Sequence, residues 1–509
     1  MKVASPTSPK TVRVGPEGAW SLSRPRRVHL VGIAGNGMRA LADVLRGWGW
    51  RLSGSDSSVA PVRALAAEGV PLFQGHHAEN IPPETEAVVF SDAVSANNPE
   101  ICRAAKLGIP ISSYFQMLGQ LGIGRHTLAI AGTHGKSTTT AMTARLLIGA
   151  GLDPTVVCGA TPLGANSGGH AGRGEFMLVE ACEYRANFLH LRPRHAAILN
   201  IEPDHFDYYD SLDQLEDAFR RFAFLVSDDG LLLIRHDCPS ARRATAGLEK
   251  SRRIESFGLS SDAQWSAREL RERGGRFQFE IFRFGRSLCE VRLPVPGLHN
   301  VLNALAAAAL AWEHGVSANQ ISVGLAGFPG LHRRLEVLDT WRAAHQINDY
   351  AHHPTEVTAA LTTARRLFPH SRVWCVFQPH QVSRTQRLLD ELAISLQNAD
   401  KVLVAEIFRA RESGPQPGEI TAADLARKVA GLGTEVLPGH TAEEIVATLE
   451  TQLAPDDVLV TLGAGDVGKF RPTEGRGSRE KRALATSEFA SRKLTDGTVG
   501  QNKPQRYAG

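Results

Sequence analysis

From Val28 the chain alternates short apolar runs with helix-patterned stretches, and it does so in three successive units. Strands that are apolar on both faces must be covered on both faces, which restricts such a chain to largely parallel sheets flanked by helices. VHLVGIA, GMRALADVLRGWG, WRLSGSD, VRALAAEG and AVVFSDAV give a β-α-β-α-β order in the first unit. HTLAIAGTHGKSTTTAMTARLLIGAG opens the second as strand, tight loop and long helix, and FMLVEA and HAAILNI continue it as buried parallel strands. RFQFEIFRFG and RSLCEVRLPVPG alternate apolar and polar residues, which predicts an antiparallel hairpin on that unit. Ala304–Trp312 reads as an alanine-rich helix. Beyond Gly330, HQINDYA, RVWCVFQP, KVLVAEIF and DVLVTLGAG are strands separated by helices such as TEVTAALTTARRLF.

A chain of 509 residues exceeds a single core. The expected fold class is α/β in three domains: a Rossmann-like unit over 25–123, a central P-loop ATPase-like α/β unit with antiparallel strands over 124–328, and a second Rossmann-like unit over 329–470. Residues 1–24 and 471–509 are expected to be disordered basic tails. The formal charge of +4 comes from these ends, each close to +5, whereas the body between them is near −6. A basic tail is ordinarily a solvated segment, so no nucleic-acid partner is expected. No apolar run approaches the roughly 20 residues of a membrane helix, and the N-terminus lacks an apolar signal core. Six scattered cysteines without a C-x-x-C pair suit the reduced thiols of a cytoplasmic enzyme.

The strongest local signal is AGTHGKSTTT, Ala131–Thr140, between a strand and a helix. Backbone N–H groups of such a loop cradle phosphate, a lysine neutralises its charge, and a hydroxyl can ligate Mg²⁺. The spacing departs from the usual motif, because Gly132 lies three residues before Gly135 and Ile130 occupies the five-back position. FMLVEACEYRANF ends in Glu180 and Glu183, and HAAILNIEPDHFDYYD in Asn200, Glu202, Asp204, His205 and Asp207. These acids are expected from two adjacent strands at the carboxyl edge, where α/β sheets bind ligands. Arg333 and Arg334 are candidates to clamp a phosphoryl group, since guanidinium forks match phosphate geometry. The pair His352–His353 is compatible with catalysis or with a polar turn. In VHLVGIAGNGM the glycines Gly32, Gly35 and Gly37 run G-x-x-G-x-G, the reverse of the dinucleotide fingerprint.

Taken together these segments resemble the Mur ligase family, from about Arg27 to Phe470. The ordered set is GIAGNGM with SGSD, GTHGKSTTT, VEA-x-E, NIEPDH, HNVLN, RR, DYAHHPTE, FQPH-x-x-SRT and LGAGD. The resemblance implies an ATP-dependent ligase that joins L-alanine to the lactyl carboxylate of UDP-N-acetylmuramate through an acyl phosphate, with ATP and Mg²⁺ as cofactors. It implies a nucleotide site of Gly132, Thr133, His134, Gly135, Lys136, Ser137 and Thr138, with His299, Asn300 and Asn303 near the adenine and Arg334 and Asp349 from the third domain. Ser137, Glu180 and His205 would organise metal. Lys136, Glu180, His205, Arg334 and His353 would carry catalysis. Gly32, Gly35, Gly37, Met38, Ser55 and Asp56 would hold the UDP moiety, with His352 and Arg384 also assigned to that substrate. Tyr350, His352 and His353 would face the muramoyl or amino-acid end.

Cys182 stands where many members have Asp, Arg185 where the position is often acidic, Asn348 in place of the first acid of D-D-Y, and Gln381 in place of an Arg. The runner-up reading is a murein tripeptide ligase acting on the same acceptor. A dehydrogenase using NAD in the first domain is the remote alternative, and it leaves the phosphate-lysine loop without a task. The subunit count stays open between monomer and dimer.

Overall fold

The computed structural model describes residues 26–471 except 411, 413 and 415–417. The expected tails at 1–24 and 471–509 lie, apart from Arg471, outside the described residues. The first unit comprises β1 (Arg27–Val31), α1 (Asn36–Gly47), β2 (Arg51–Asp56), α2 (Arg63–Ala67), β3 (Leu72–Gln74), β4 (Ala87–Phe90), α3 (Pro99–Lys106), β5 (Ile111–Ser113) and α4 (Tyr114–Leu121). Its five strands are parallel in the order β3-β2-β1-β4-β5.

The second unit runs through β6 (His126–Ala131), α5 (Lys136–Gly149), β7 (Thr155–Val157), β8 (Gly169–His170), β9 (Phe176–Ala181), β10 (His195–Ile198), α6 (Leu212–Ala223), β11 (Leu231–Arg235), α7 (Pro239–Thr245) and β12 (Arg253–Gly258). It continues with β13 (Trp265–Arg273), β14 (Arg276–Arg283), β15 (Arg286–Arg292), α8 (Leu298–Trp312) and α9 (Ala318–Ala326). The sheet order is β15-β14-β13-β12-β11-β10-β6-β9-β7-β8, with β14 antiparallel to both β13 and β15, and β8 antiparallel to β7. The expected hairpin is therefore β14–β15, and β13 extends it, a strand hidden by the charged run RELRER.

The third unit contains β16 (Glu336–Trp341), β17 (Ala344–Asp349), α10 (Pro354–Leu367), β18 (Val373–Phe377), α11 (Val382–Arg387), α12 (Leu389–Leu396), β19 (Lys401–Val404), α13 (Ala422–Gly431), β20 (Glu435–Val436), α14 (Ala442–Gln452) and β21 (Val458–Leu462). Its sheet order is β16-β17-β21-β18-β19-β20, parallel except at β16. The fold is thus three-domain α/β.

Two local features position the site. β6 lies between β9 and β10, so the strands carrying the acids flank the phosphate-loop strand and are not adjacent as expected. Sheet order is a non-local property, which strand patterning does not encode. The alanine-rich helix begins six residues earlier than expected, at Leu298, so HNVLN forms the first turns of α8. Asn300 to Ala311 of α8 are all buried, and their small side chains let α8 lie closely against α5 over the sheet. Among the described residues no helix is long and apolar enough to cross a membrane.

Candidate active site

The loop after β6 turns sharply because Gly132 and Gly135 adopt φ of 138° and 84°. A side chain at Gly135 would bring a Cβ to 2.5 Å from Asn303 Oδ1, so α8 packs directly on the loop. The loop is also held from β10. Asn200 Oδ1 accepts from the His134 N–H at 2.8 Å, and Thr133 Oγ1 accepts from the Glu202 N–H at 2.9 Å. The N-terminus of α5 then starts at Lys136, leaving its first N–H groups directed at the loop, the arrangement that favours phosphate.

Lys136 Nζ lies 2.9 Å from Glu183 Oε2 and 2.5 Å from the Gly132 carbonyl. Burial alone would strip its charge, but Glu183 overrides that and pushes its pKa up. Burial works against the charge on Glu183 too, yet Lys136 and His205 hold its carboxyl below the usual range. His205 Nε2 contacts Glu183 Oε1 at 3.2 Å. Ser137 Oγ donates to Glu180 Oε2 at 3.1 Å, and Glu180 Oε1 accepts from the Gly159 N–H. Two hard oxygen donors at that separation match an edge of the octahedral Mg²⁺ shell. Burial, then the Glu183 charge, pushes the Cys182 thiol up to about 12, so it is a neutral thiol at the place of the family's Asp.

These groups line a cavity of about 740 Å³ reached by all three domains. Asn36 and Arg39 come from the first, Lys136, Ser137, Glu180, Glu183 and His205 from the second, and Arg334, His352 and Arg384 from the third. His205, Arg333 and Gln381 on its wall hold left-handed backbone, with φ of 57°, 58° and 68°. Such conformations in non-glycine residues cost energy and concentrate at functional sites. A smaller cavity of about 120 Å³ adjoins it, lined by His134, Gly135, Thr138, His299, Asn300, Asn303, Arg334 and Asp349. Burial first pushes His299 down to about 4, leaving a neutral imidazole. A third cavity of about 740 Å³ lies on the first domain beside Gly32, Gly35, Asp56 and His76. There Asp56 Oδ2 accepts from the Ala34 N–H at 2.9 Å.

Several expected site residues do other work. The Met38 side chain is in the core of the first domain. Ser55 is fully buried, donates to Glu100 Oε2 at 2.6 Å and does not line the cavity beside Gly32. A Cβ on Gly37 would meet the Tyr114 ring at 2.9 Å, so that glycine serves packing. Arg333 Nη2 donates to the Gly463 and Gly465 carbonyls at 2.6 and 2.7 Å; both arginines border the 740 Å³ cavity at the phosphate loop, and Arg334 alone of the pair also lines the adjoining 120 Å³ one. Asn348 faces Thr461 in the sheet and lines neither.

His353 lines neither cavity as well; it caps α10 by accepting from the Thr355 N–H, and its Nε2 lies 3.2 Å from the Pro203 carbonyl. Arg384 is saturated by Asp204 at 2.7 Å and by His380, joining the second domain to the third. Thr355 Oγ1 donates to Glu202 Oε2 at 2.5 Å across the same seam. The sequence reading passed over Glu356, whose carboxylate accepts from the His352 N–H and contacts His134 Nδ1 at 3.1 Å. H-P-T-E is a helix-start pattern with the acid at the third helical position, which was the available signal.

The seam carries a pH dependence. Burial opposes a charge on His134, but Glu356 and Glu202 outweigh it and raise its pKa from 6.5 to about 9. A raised pKa contributes stability that is complete below 6.5 and is lost as pH rises through about 9. Thermal unfolding in metal-free buffer is therefore expected to fall between pH 7 and 9.5, and His134→Gln is expected to flatten that slope. An unchanged slope in the variant contradicts this role.

Family models match along the chain in order: Mur ligase family, catalytic domain, at 27–126; Mur ligase middle domain at 130–311; and Mur ligase, glutamate ligase domain, at 333–465. The chain belongs to the Mur ligase family. It is 37% identical over 444 residues to the UDP-N-acetylmuramate–L-alanine ligase of Clostridium novyi, covering 87% of this chain and 95% of the relative. The enzyme of the same name from Desulfitobacterium hafniense is 39% identical over 452 residues, covering 87% and 98%. Among solved structures, UDP-N-acetylmuramate-alanine ligase from Thermotoga maritima superimposes with a TM-score of 0.73 at 27% identity, covering 91% of this chain and all of that one. A murein peptide ligase from Psychrobacter arcticus gives 0.66 at 25%, covering 90% and 98%.

Proposed function

We propose that the chain is an ATP-dependent ligase that joins L-alanine to the lactyl carboxylate of UDP-N-acetylmuramate. The observation that carries this reading is the 740 Å³ cavity, where the phosphate loop of the second domain faces residues of the first and third. Uridine diphosphate would lie on the first domain beside Gly32, Gly35 and Asp56, and Asn36 and Arg39 would border its path toward the second domain. ATP would place its base near His299, Asn300 and Asn303 and its phosphates on Gly132–Ser137. The substrate carboxylate would attack the γ-phosphorus and release ADP, giving an acyl phosphate. The amine, having lost a proton, would then attack the acyl carbon and expel phosphate.

Lys136 and Arg334 would neutralise charge on the transferred phosphoryl group, and the domain seam would hold the reactants in line and keep water out. Ser137 and Glu180 would hold Mg²⁺, with His205 on the same cavity wall; when bound, the ion supplies charge neutralisation to the phosphates. The resting contacts of Lys136 and His205 with Glu183 keep both side chains aimed at that space.

Phosphate release is expected only when ATP, Mg²⁺, UDP-N-acetylmuramate and an amino acid are all present. An amino-acid panel with product masses tests specificity: L-alanine should dominate over glycine, L-serine and the tripeptide. Release without the muramoyl nucleotide overturns the ligase reading, and preference for the tripeptide replaces the alanine assignment.

A further inference from the structure

His134 on the phosphate loop, Glu202 beyond β10 and His353 at the start of α10 meet at the seam between the second and third domains. Their candidate ligand atoms all lie within 4.8 Å of one another. His134 Nε2 is 3.4 Å from Glu202 Oε2, and His353 Nδ1 is 3.7 Å from the same oxygen. Ligands of a tetrahedral zinc ion with bonds of about 2.0–2.1 Å stand roughly 3.4 Å apart. The first spacing already has that value, and the second needs a contraction of a few tenths of an ångström.

The far side of each ring is anchored. His134 Nδ1 lies 3.1 Å from Glu356 Oε1, and His353 Nε2 lies 3.2 Å from the Pro203 carbonyl. On His134 a ring N–H donating to Glu356 leaves the Nε2 lone pair turned toward Glu202, the tautomer that carboxylate partners impose on metal-binding histidines. On His353 the N–H belongs on Nε2, and the Nδ1 lone pair, which meets the Thr355 N–H at 3.3 Å, has to exchange that long capping contact for the ion. His134 Nε2 is buried and has no hydrogen-bond partner. The unpartnered His134 lone pair and the Glu202 carboxylate facing one another repel unless a positive charge, a proton or a metal ion, sits between them.

We propose that His134 Nε2, Glu202 Oε2 and His353 Nδ1, with a water in the fourth position, form a site for a zinc-class divalent cation, built from residues other than the Ser137–Glu180 pair. Two imidazoles and one carboxylate suit zinc or cobalt, whereas Mg²⁺ demands oxygen ligands in an octahedron. Two ligands belong to the second domain and one to the third. A bound ion therefore staples the domains in the closed arrangement and opposes the opening through which nucleotide leaves.

The test uses the full chain, stripped with a chelator and titrated with Co²⁺ alone in Mg²⁺-containing buffer. The expected result is the intense visible absorption of a four-coordinate cobalt site at one equivalent, displaced by Zn²⁺. His353→Ala and Glu202→Gln should each weaken binding at least tenfold while circular dichroism shows a folded chain, and Glu180→Gln should retain the absorption. Zn²⁺ should raise the unfolding temperature of the wild type and not that of His353→Ala. Absorption that survives both seam substitutions, that vanishes with Glu180→Gln, or that never develops below millimolar metal overturns the proposal. Glu202→Gln lies outside the third domain, so it decides the matter if the α10 cap substitution fails to fold.

Discussion

Replacing Lys136 with alanine is expected to lower turnover by about three orders of magnitude, the scale seen when a preorganised charge is removed from a transition state. The same substitution is expected to cost about 3 kcal/mol of stability, because it leaves Glu183, 1% exposed, as a buried carboxylate without its principal cation. His205 contacts the other Glu183 oxygen and offsets part of that cost. The two effects separate in the double variant Lys136→Ala/Glu183→Gln, which should recover most of the unfolding free energy in a denaturant titration and none of the phosphate release. Recovery of turnover in the double variant would contradict a direct role for the lysine. Unchanged stability in the single variant would contradict the pairing.

Arg384→Ala carries the second large effect. Arg384 and Asp204 are 4% and 6% exposed and 2.7 Å apart, so truncating the guanidinium strands Asp204 in the seam. Breaking a buried pair costs about 3–5 kcal/mol, and here the penalty falls on domain closure because the partners belong to different domains. The expected reading is a fall of about a hundredfold or more in kcat/KM with a more open particle by solution scattering. Adding Asp204→Asn should restore part of the closure by removing the stranded charge. Wild-type kcat/KM in Arg384→Ala would show that the pair is incidental to closure.

The parts of the site legible from sequence are those set by local rules. A strand, a glycine turn and a helix in succession fix the phosphate loop whatever the remainder does, and Lys136, Ser137, Glu180 and His205 share one cavity. Arg333 and Arg334 could not be separated in that way, because the partners that divide them, the carbonyls of Gly463 and Gly465, lie far along the chain. The resemblance puts His353 among the catalytic residues, and sequence does not separate the two roles, because a histidine that caps a helix and one that acts in catalysis look alike. Ser55 and Met38 sit within the glycine-loop motifs, but their side chains are committed to a buried carboxylate and to the core. Short strands such as β3, β5 and β20, of two or three residues, carry too few positions to display a period.

Those short strands bear on how the molecule behaves in a crowded solution. The sheets of the first and second domains end in β3, β5 and β8, each three residues or fewer, and the third ends on one side in β20, two residues long. The long edge strand β15 exposes Arg286, Ser287, Glu290 and Arg292, and the other long edge, β16, is broken by a bulge between Leu338 and Trp341. A flat apolar edge is the template on which one chain adds to another, and truncation, charge and bulging each remove it. Three open sheets in one polypeptide thus remain self-contained, and their edges resist the strand-by-strand growth that leads to aggregates.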